Sequence, residues 1–259
     1  MPSPYIVRTN SQFRQRFDTL QAGDVVACVL GMKPFEEALL LDLRERGIII
    51  FPSAISQIAS RSKCLQARLF SPFMVPNTKV VSSRAELVHV MDEYARLGVG
   101  RIITKKDRAD CGLGINLWQD FEELFNHVSF SPVEPWPLVI QPFIQDATDI
   151  RIIWIGDIYR EAYWRKSEHG FRNNLHFGGK SGTYHLNEDE TRLCSKVMKR
   201  GSFPYAHIDL LKTVDGTTYL SEISLFGGTK GAKIDSTTCA KLKEEVNLVF
   251  LESLSQRTL

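Results

Sequence analysis

The segment "YAHIDLLKTVDGTTYLSEIS" carries two carboxylates, Asp209 and Glu222, on either side of an Asp215-Gly216 pair. Asp-Gly between two alternating apolar runs is a strong short-range hairpin signal. A two-residue turn would put Asp209 directly opposite Glu222, about 5 Å apart at Cβ, where like charges repel. Ser224 lies two residues on, on the same side of its strand. Two carboxylates and a hydroxyl on one face are hard oxygen ligands of the kind Mg²⁺ takes, with phosphate oxygens completing the shell. The competing reading is a surface hairpin whose carboxylates point to water. Ile208, Leu210, Ile223 and Leu225 weigh against it, because they give the pair an apolar second face.

A second stretch, "GFRNNLHFGGKSG" (170–182), ends like a phosphate-binding P-loop. That motif needs a glycine at the position held by Asn174 and a helix directly after the Lys-Ser pair. The next helical pattern starts only near Asn187, so the stretch is not a P-loop. It still has the parts to hold an anion. Arg172 offers a planar fork, Asn174 an amide, and Gly178-Gly179 close backbone approach. A solvated hairpin loop explains the stretch alone equally well.

The elements that must position these residues follow from periodicity. "GDVVACVLG", "PFEEALLLDLRERG" and "IIIFPS" read as strand, helix and strand, one parallel βαβ unit over about residues 23–53. Residues 54–71 read as a helix, "SRAELVHVMDEYARLG" as a capped helix and "GRIITKK" as a strand. A glycine-bearing turn, "DRADCGLGINLW", leads into another strand, and "DFEELFNHV" is a short helix. After the Pro-rich "SFSPVEPWP" the pattern becomes mostly antiparallel β, with helices at "NEDETRLCSKVMKRG" and at residues 234–254. The expected fold is α+β, with a short N-terminal βαβ unit (1–62) followed by two α+β lobes (63–135 and 136–259).

Composition narrows the function classes. With 43% hydrophobic and 24% charged residues the chain reads as a soluble globular protein, and its net charge of +2 lacks the one-signed field that nucleic acid requires. Five cysteines without a CxxC pair argue against zinc and against disulfides. Six histidines show no HxxxH or HExxH spacing, and no GxSxG marks a hydrolase. No apolar run reaches the roughly 18 residues of a membrane span. A cytoplasmic protein is expected, with no nucleic-acid or membrane partner.

"DIRIIWIGD", "GFRNNLHFGG" and "AHIDLL…YLSEIS", in this order and spacing, resemble the ATP-grasp ligases. The branch most similar includes ribosomal-protein S6 glutamate ligase and, more distantly, glutathione synthetase. The likeness covers roughly residues 55–235. It implies two lobes that hold ATP with Mg²⁺, or Mn²⁺ in its place. It also implies phosphorylation of a carboxylate and displacement of that phosphate by an amine to give an amide. The substrates would be a small-molecule or peptide carboxylate and an amine, the acceptor could be a peptide or protein, and a homo-oligomer fits as well.

The resemblance assigns residues too. Lys63 and Lys105 would meet the phosphates as mobile point charges, with Lys106 a rival to Lys105. Gly112 and Gly114 belong to the loop that closes over the phosphates. Gln141 and Phe143 form the hinge that reads adenine, with the Phe143 N–H as a donor. Asp149 contacts the nucleotide and shares a strand face with Arg151. Arg172, Asn173 and Asn174 grip the transferring phosphoryl group, Arg172 and Asn174 being the catalytic pair. Asp209, Glu222 and Ser224 are the metal ligands, with Ser224 standing where the family usually has asparagine. That departure and the short N-terminal unit support an alternative, a non-catalytic nucleotide-binding relative acting as a regulatory or assembly subunit.

Overall fold

The computed structural model describes residues 4–109, 113–167, 170–171 and 179–257. Its N-terminal sheet is parallel, in the order β1 (Ile6–Val7), β2 (Val25–Val26), β3 (Ile49–Ile50). Helix α2 (Ala38–Glu45) makes the expected crossover between β2 and β3. A second crossover, α1 (Asn10–Arg16), joins β1 to β2 and extends the unit by a strand and a helix. The local signal for α1 is "TNSQ": the Thr9 side chain accepts from the Gln12 N–H, the pattern of a capped helix start.

The helix expected over residues 54–71 is two helices, α3 (Ala54–Ala59) and α4 (Lys63–Leu69). Each begins at a serine, Ser53 accepting from Ser56 N–H and Ser62 from Leu65 N–H. A capping serine inside a helical pattern starts a new helix rather than continuing the old one.

Two antiparallel sheets follow. The smaller has the order β4 (Lys79–Val81), β7 (Leu138–Pro142), β5 (Ile102–Lys106), β6 (Ile115–Trp118). Helices α5 (Arg84–Arg96) and α6 (Phe121–Phe130) pack Leu87, Tyr94 and Leu124 onto its Ile102 and Ile140. The larger sheet runs β10 (Lys180–Tyr184), β9 (Tyr159–Lys166), β8 (Thr148–Ile155), β11 (Tyr205–Lys212), β12 (Thr218–Ser224). Its core joins Ile150, Ile152, Ile208 and Ile223 to Val197 of α7 (Glu188–Gly201) and Cys239 of α8 (Ser236–Arg257).

β12 is an edge strand, and α4 covers that edge. The buried Gln66 side chain donates to the Ile223 carbonyl (2.9 Å) and accepts from the Ile223 N–H (3.0 Å). One amide thus does what a sixth strand would do, and its helix also carries Lys63. The Ser60 hydroxyl extends the edge by accepting from the Leu225 N–H. Among the described residues, no helix is long and apolar enough to cross a membrane.

Candidate active site

A cleft of about 1480 Å³ separates the two antiparallel sheets. Asp209 and Glu222 face it and are register partners, as the hairpin signal predicts, but by a different route. The Thr213 N–H donates to the Thr217 carbonyl (2.8 Å), so the turn holds three residues, not two. Pairing near the turn is therefore one residue off, with Leu210 opposite Leu220. An extra residue on β12, Ser221, then restores the register and brings Asp209 opposite Glu222. Two departures from the simple hairpin cancel at the site. Bulges re-aim side chains, and here the neighbours Ser221 and Glu222 both line the cleft.

The carboxylates are neutralised by cations from three elements. Arg151 on β8 grips Asp209 through two bonds of 2.7 Å. Arg165 on β9 bonds Asp149 at 2.6 Å and reaches Asp209 at 3.1 Å, with its side chain only 4% exposed. Asp149 therefore pairs with Arg165 across the strands rather than with Arg151 beside it. Burial alone would raise both carboxyls, yet the two guanidiniums hold Asp209 far below the usual range. Asp149, with one guanidinium close by and Asp209 near, is pushed up by its burial. Sequence alone marks no role for Arg165. The β8–β9 hairpin register, which puts Arg165 opposite Asp149, is the signal that finds it.

Lys105 and Lys106 separate by strand alternation: Lys105 is buried in the cleft and Lys106 is exposed outside it. The Lys105 ammonium donates to the carbonyl and hydroxyl oxygens of the bulge residue Ser221, at 3.3 and 3.4 Å. Burial pushes Lys105 down to about 8, with Glu222 offsetting only part of the effect. Lys63, the first residue of α4, donates to the Ala109 carbonyl (2.7 Å) and to Glu222 Oε1 (3.1 Å). Gly114 closes the β5–β6 loop where no side chain fits: a Cβ there would lie 2.5 Å from that of Ala109. Gly112, Arg172, Asn173 and Asn174 lie outside the described residues.

At the hinge, Gln141 is buried with its Nε2 unpartnered among the described residues, and it lines the cleft. The Phe143 N–H donates to the Arg101 carbonyl (2.9 Å), which corrects the expectation that it is free to read a base. What Phe143 offers is its ring, with the Arg101 guanidinium 4.8 Å from the ring centre. The Ser224 hydroxyl is also engaged, donating to the Ser60 carbonyl (3.3 Å) and accepting from the Phe226 N–H (3.1 Å).

His207, opposite Ser224 on β11, is a cleft residue that no sequence motif marks. Burial, with Lys243 and Arg151 adding to it, pushes the ring down to about 3, so it is neutral.

Among the described residues no group of three or more His, Cys, Asp or Glu forms a metal cage. Asp209 and Glu222, the facing pair in the cleft, are hard oxygen ligands of the kind Mg²⁺ takes together with substrate phosphates.

Residues 59–245 match the family model described as RimK-like ATP-grasp domain. A probable alpha-L-glutamate ligase of Histophilus somni is 26% identical over 188 residues, which is 71% of this chain and 62% of that protein. One from Trichodesmium erythraeum is 24% identical over 207 residues, 77% of this chain and 65% of that protein. The chain thus spans under two thirds of the length of these relatives. Among solved structures, D-alanine–D-alanine ligase from Bacillus anthracis superimposes with a TM-score of 0.64 at 13% identity, covering 95% of this chain and 86% of that one. The ATP-grasp ligase PsnB, complexed with a minimal precursor, Mg and ADP, gives 0.55 at 19% identity, covering 82% and 67%.

Proposed function

The chain belongs to the RimK-like ATP-grasp family and has the ATP-grasp fold, and we propose that it is an ATP-dependent carboxylate–amine ligase. The observation that carries this reading is the convergence of Lys63, Arg151 and Arg165 on the Asp209–Glu222 pair, with Lys105 buried in the same cleft. A set of cations around two carboxylates is what positioning and neutralising a nucleotide triphosphate with its metal requires.

In this reading the base lies at the hinge, where the unpartnered Gln141 amide supplies a donor and Phe143 a ring face. Lys105 and Lys63 take the phosphates, Lys63 exchanging its hold on Glu222 for one on phosphate oxygen. Asp209 and Glu222 would hold Mg²⁺, and the bound ion would supply positive charge to offset that of the phosphates. Ser224, with its hydroxyl engaged, is left to fix the turn after β12. Arg172, Asn173, Asn174 and Gly112 keep the roles that the resemblance implies. A substrate carboxylate oxygen then attacks the terminal phosphorus, the bond to the bridging oxygen breaks, and ADP leaves. The amine attacks the acyl carbon, the carbon–oxygen bond to phosphate breaks, and the nitrogen gives up a proton as inorganic phosphate departs. Stabilisation is electrostatic, without a protein nucleophile. The relatives' names make L-glutamate the first amine to try.

The test is Mg²⁺-dependent phosphate release from ATP with a panel of amino acids, dipeptides and Glu-ended peptides, and hydroxylamine present to trap an acyl phosphate as hydroxamate. We expect one carboxylate to stimulate both release and hydroxamate, and Glu222→Ala to abolish both. Tight ATP binding without stimulation by any carboxylate would support the nucleotide-binding alternative. Absence of ATP binding would overturn the reading.

A further inference from the structure

His207 sits on the cleft face of β11 with its residue only 3% exposed. Lys243 of α8 places its ammonium 2.8 Å from the Leu225 carbonyl and 3.1 Å from His207 Nε2. An ammonium has donors only, so Nε2 must accept and Nδ1 must carry the ring hydrogen. That Nδ1–H is buried and has no partner among the described residues. Leaving such a donor unpaired costs about 1–3 kcal/mol, so an orphan beside a cleft calls for an explanation.

The covering is bare backbone. A Cβ on Gly227 would lie 2.4 Å from His207 Cγ and 2.5 Å from Nδ1, while Gly228 has open space around it. Both glycines line the cleft. Position along β11 indicates what comes here. Leu211, opposite Asp149, lies nearest the hinge, then Asp209 with the carboxylate pair, then His207. Each step of two residues advances about 7 Å. If the base lies at the hinge and the phosphates at Asp209, then His207 stands one step beyond the terminal phosphate. The group that receives the phosphoryl must sit there.

We propose that His207 is a substrate-binding residue whose Nδ1–H donates to a carboxyl oxygen of the substrate, Lys243 fixing the tautomer and Gly227–Gly228 giving the backbone room to admit it. This inference rests on the ligase reading. The ring transfers no proton; it supplies one aimed donor.

Acetyl phosphate, the simplest acyl phosphate, is the probe. In the full chain with ¹⁵N-labelled histidine, the His207 Nδ1–H signal is assigned by its loss in His207→Asn. It should stay in place with MgADP alone and move when acetyl phosphate is added to the MgADP complex. His207→Leu should bind acetyl phosphate about tenfold more weakly, the value of one lost hydrogen bond. His207→Asn, whose amide nitrogen can take the place of Nδ1, should bind like the wild type, and ADP affinity should be equal in all three. If MgADP binds but the signal does not move, or if the Leu variant binds acetyl phosphate like the wild type, the role of His207 is refuted and the ligase reading stands. If MgADP does not bind the wild type, the ligase reading fails and this one with it. Should His207→Leu not fold, the wild-type shift and the Asn affinity decide between these outcomes.

Discussion

Lys105 is an ammonium buried in the cleft, with no carboxylate bonded to it among the described residues. It is buried against neutral oxygens of Ser221 and is held at about 8 by that burial. Phosphate oxygens would favour its charged form, so ATP binding should take up a proton above that value. The Michaelis constant for ATP should therefore be flat below about pH 8 and rise as pH climbs past it, up to about tenfold per unit. Lys105→Arg, charged throughout this range, should remove that alkaline limb even if it slows turnover, and a pH series of initial rates checks both. Arg165 is a different case, because its role is to hold two buried carboxylates. Replacing it by methionine leaves Asp149 without its partner and Asp209 with one fewer, at a cost of about 3–5 kcal/mol in urea unfolding. Lysine should rescue little of that, since a point charge cannot reproduce the fork that spans both.

At the scale of elements, strand positions were the most legible part of the sequence, because alternation and charge place β5, β8, β11 and β12 without tertiary information. What sequence reasoning missed depends on partners far away in the chain. The break between α3 and α4 is encoded by Ser62 capping α4, yet its consequence is that α4 lies along the edge of β12. Nothing near Gln66 says that it will pair with Ile223, which is 157 residues away. The Phe143 N–H is likewise used by Arg101, a partner that only the β5–β7 pairing supplies. Gln66→Leu tests the edge: it strands one buried donor and one buried acceptor of Ile223. We expect a loss of about 2–4 kcal/mol in denaturant unfolding, together with weaker ATP binding as Glu222 loses its support.

Across the whole molecule, α8 is the strut that joins the N-terminal unit to the larger sheet. Its Cys239 sits in the large core, while Leu251 packs with Val25 of the parallel sheet and with Ala27 just after it. Phe250 stacks on Phe51 with ring centres 4.0 Å apart. Phe250→Ala should therefore cost about 2 kcal/mol and loosen one end of the molecule selectively. Hydrogen exchange should quicken at Val25 and Val26 while Ile150 and Ile152 stay protected. The N-terminal unit is also latched to the smaller sheet's loop by a two-bond pair of 2.6 and 2.8 Å between Arg108 and Glu37. It thus touches both jaws of the cleft.

The bulge at Ser221 makes this hairpin forgiving of a gap. Removing an interior strand residue ordinarily turns every side chain beyond it to the wrong face. Here Leu220 and Ile223 face the core, with Ser221 and Glu222 both toward the cleft between them. A chain lacking Ser221 would run as an unbroken ladder, with Asp209 still opposite Glu222 and the core faces unchanged. Such a deletion should fold and keep its carboxylate pair, while Lys105 gives up the two oxygens that now hold it. In an aligned set of relatives, this is the strand position where a missing residue would do least harm.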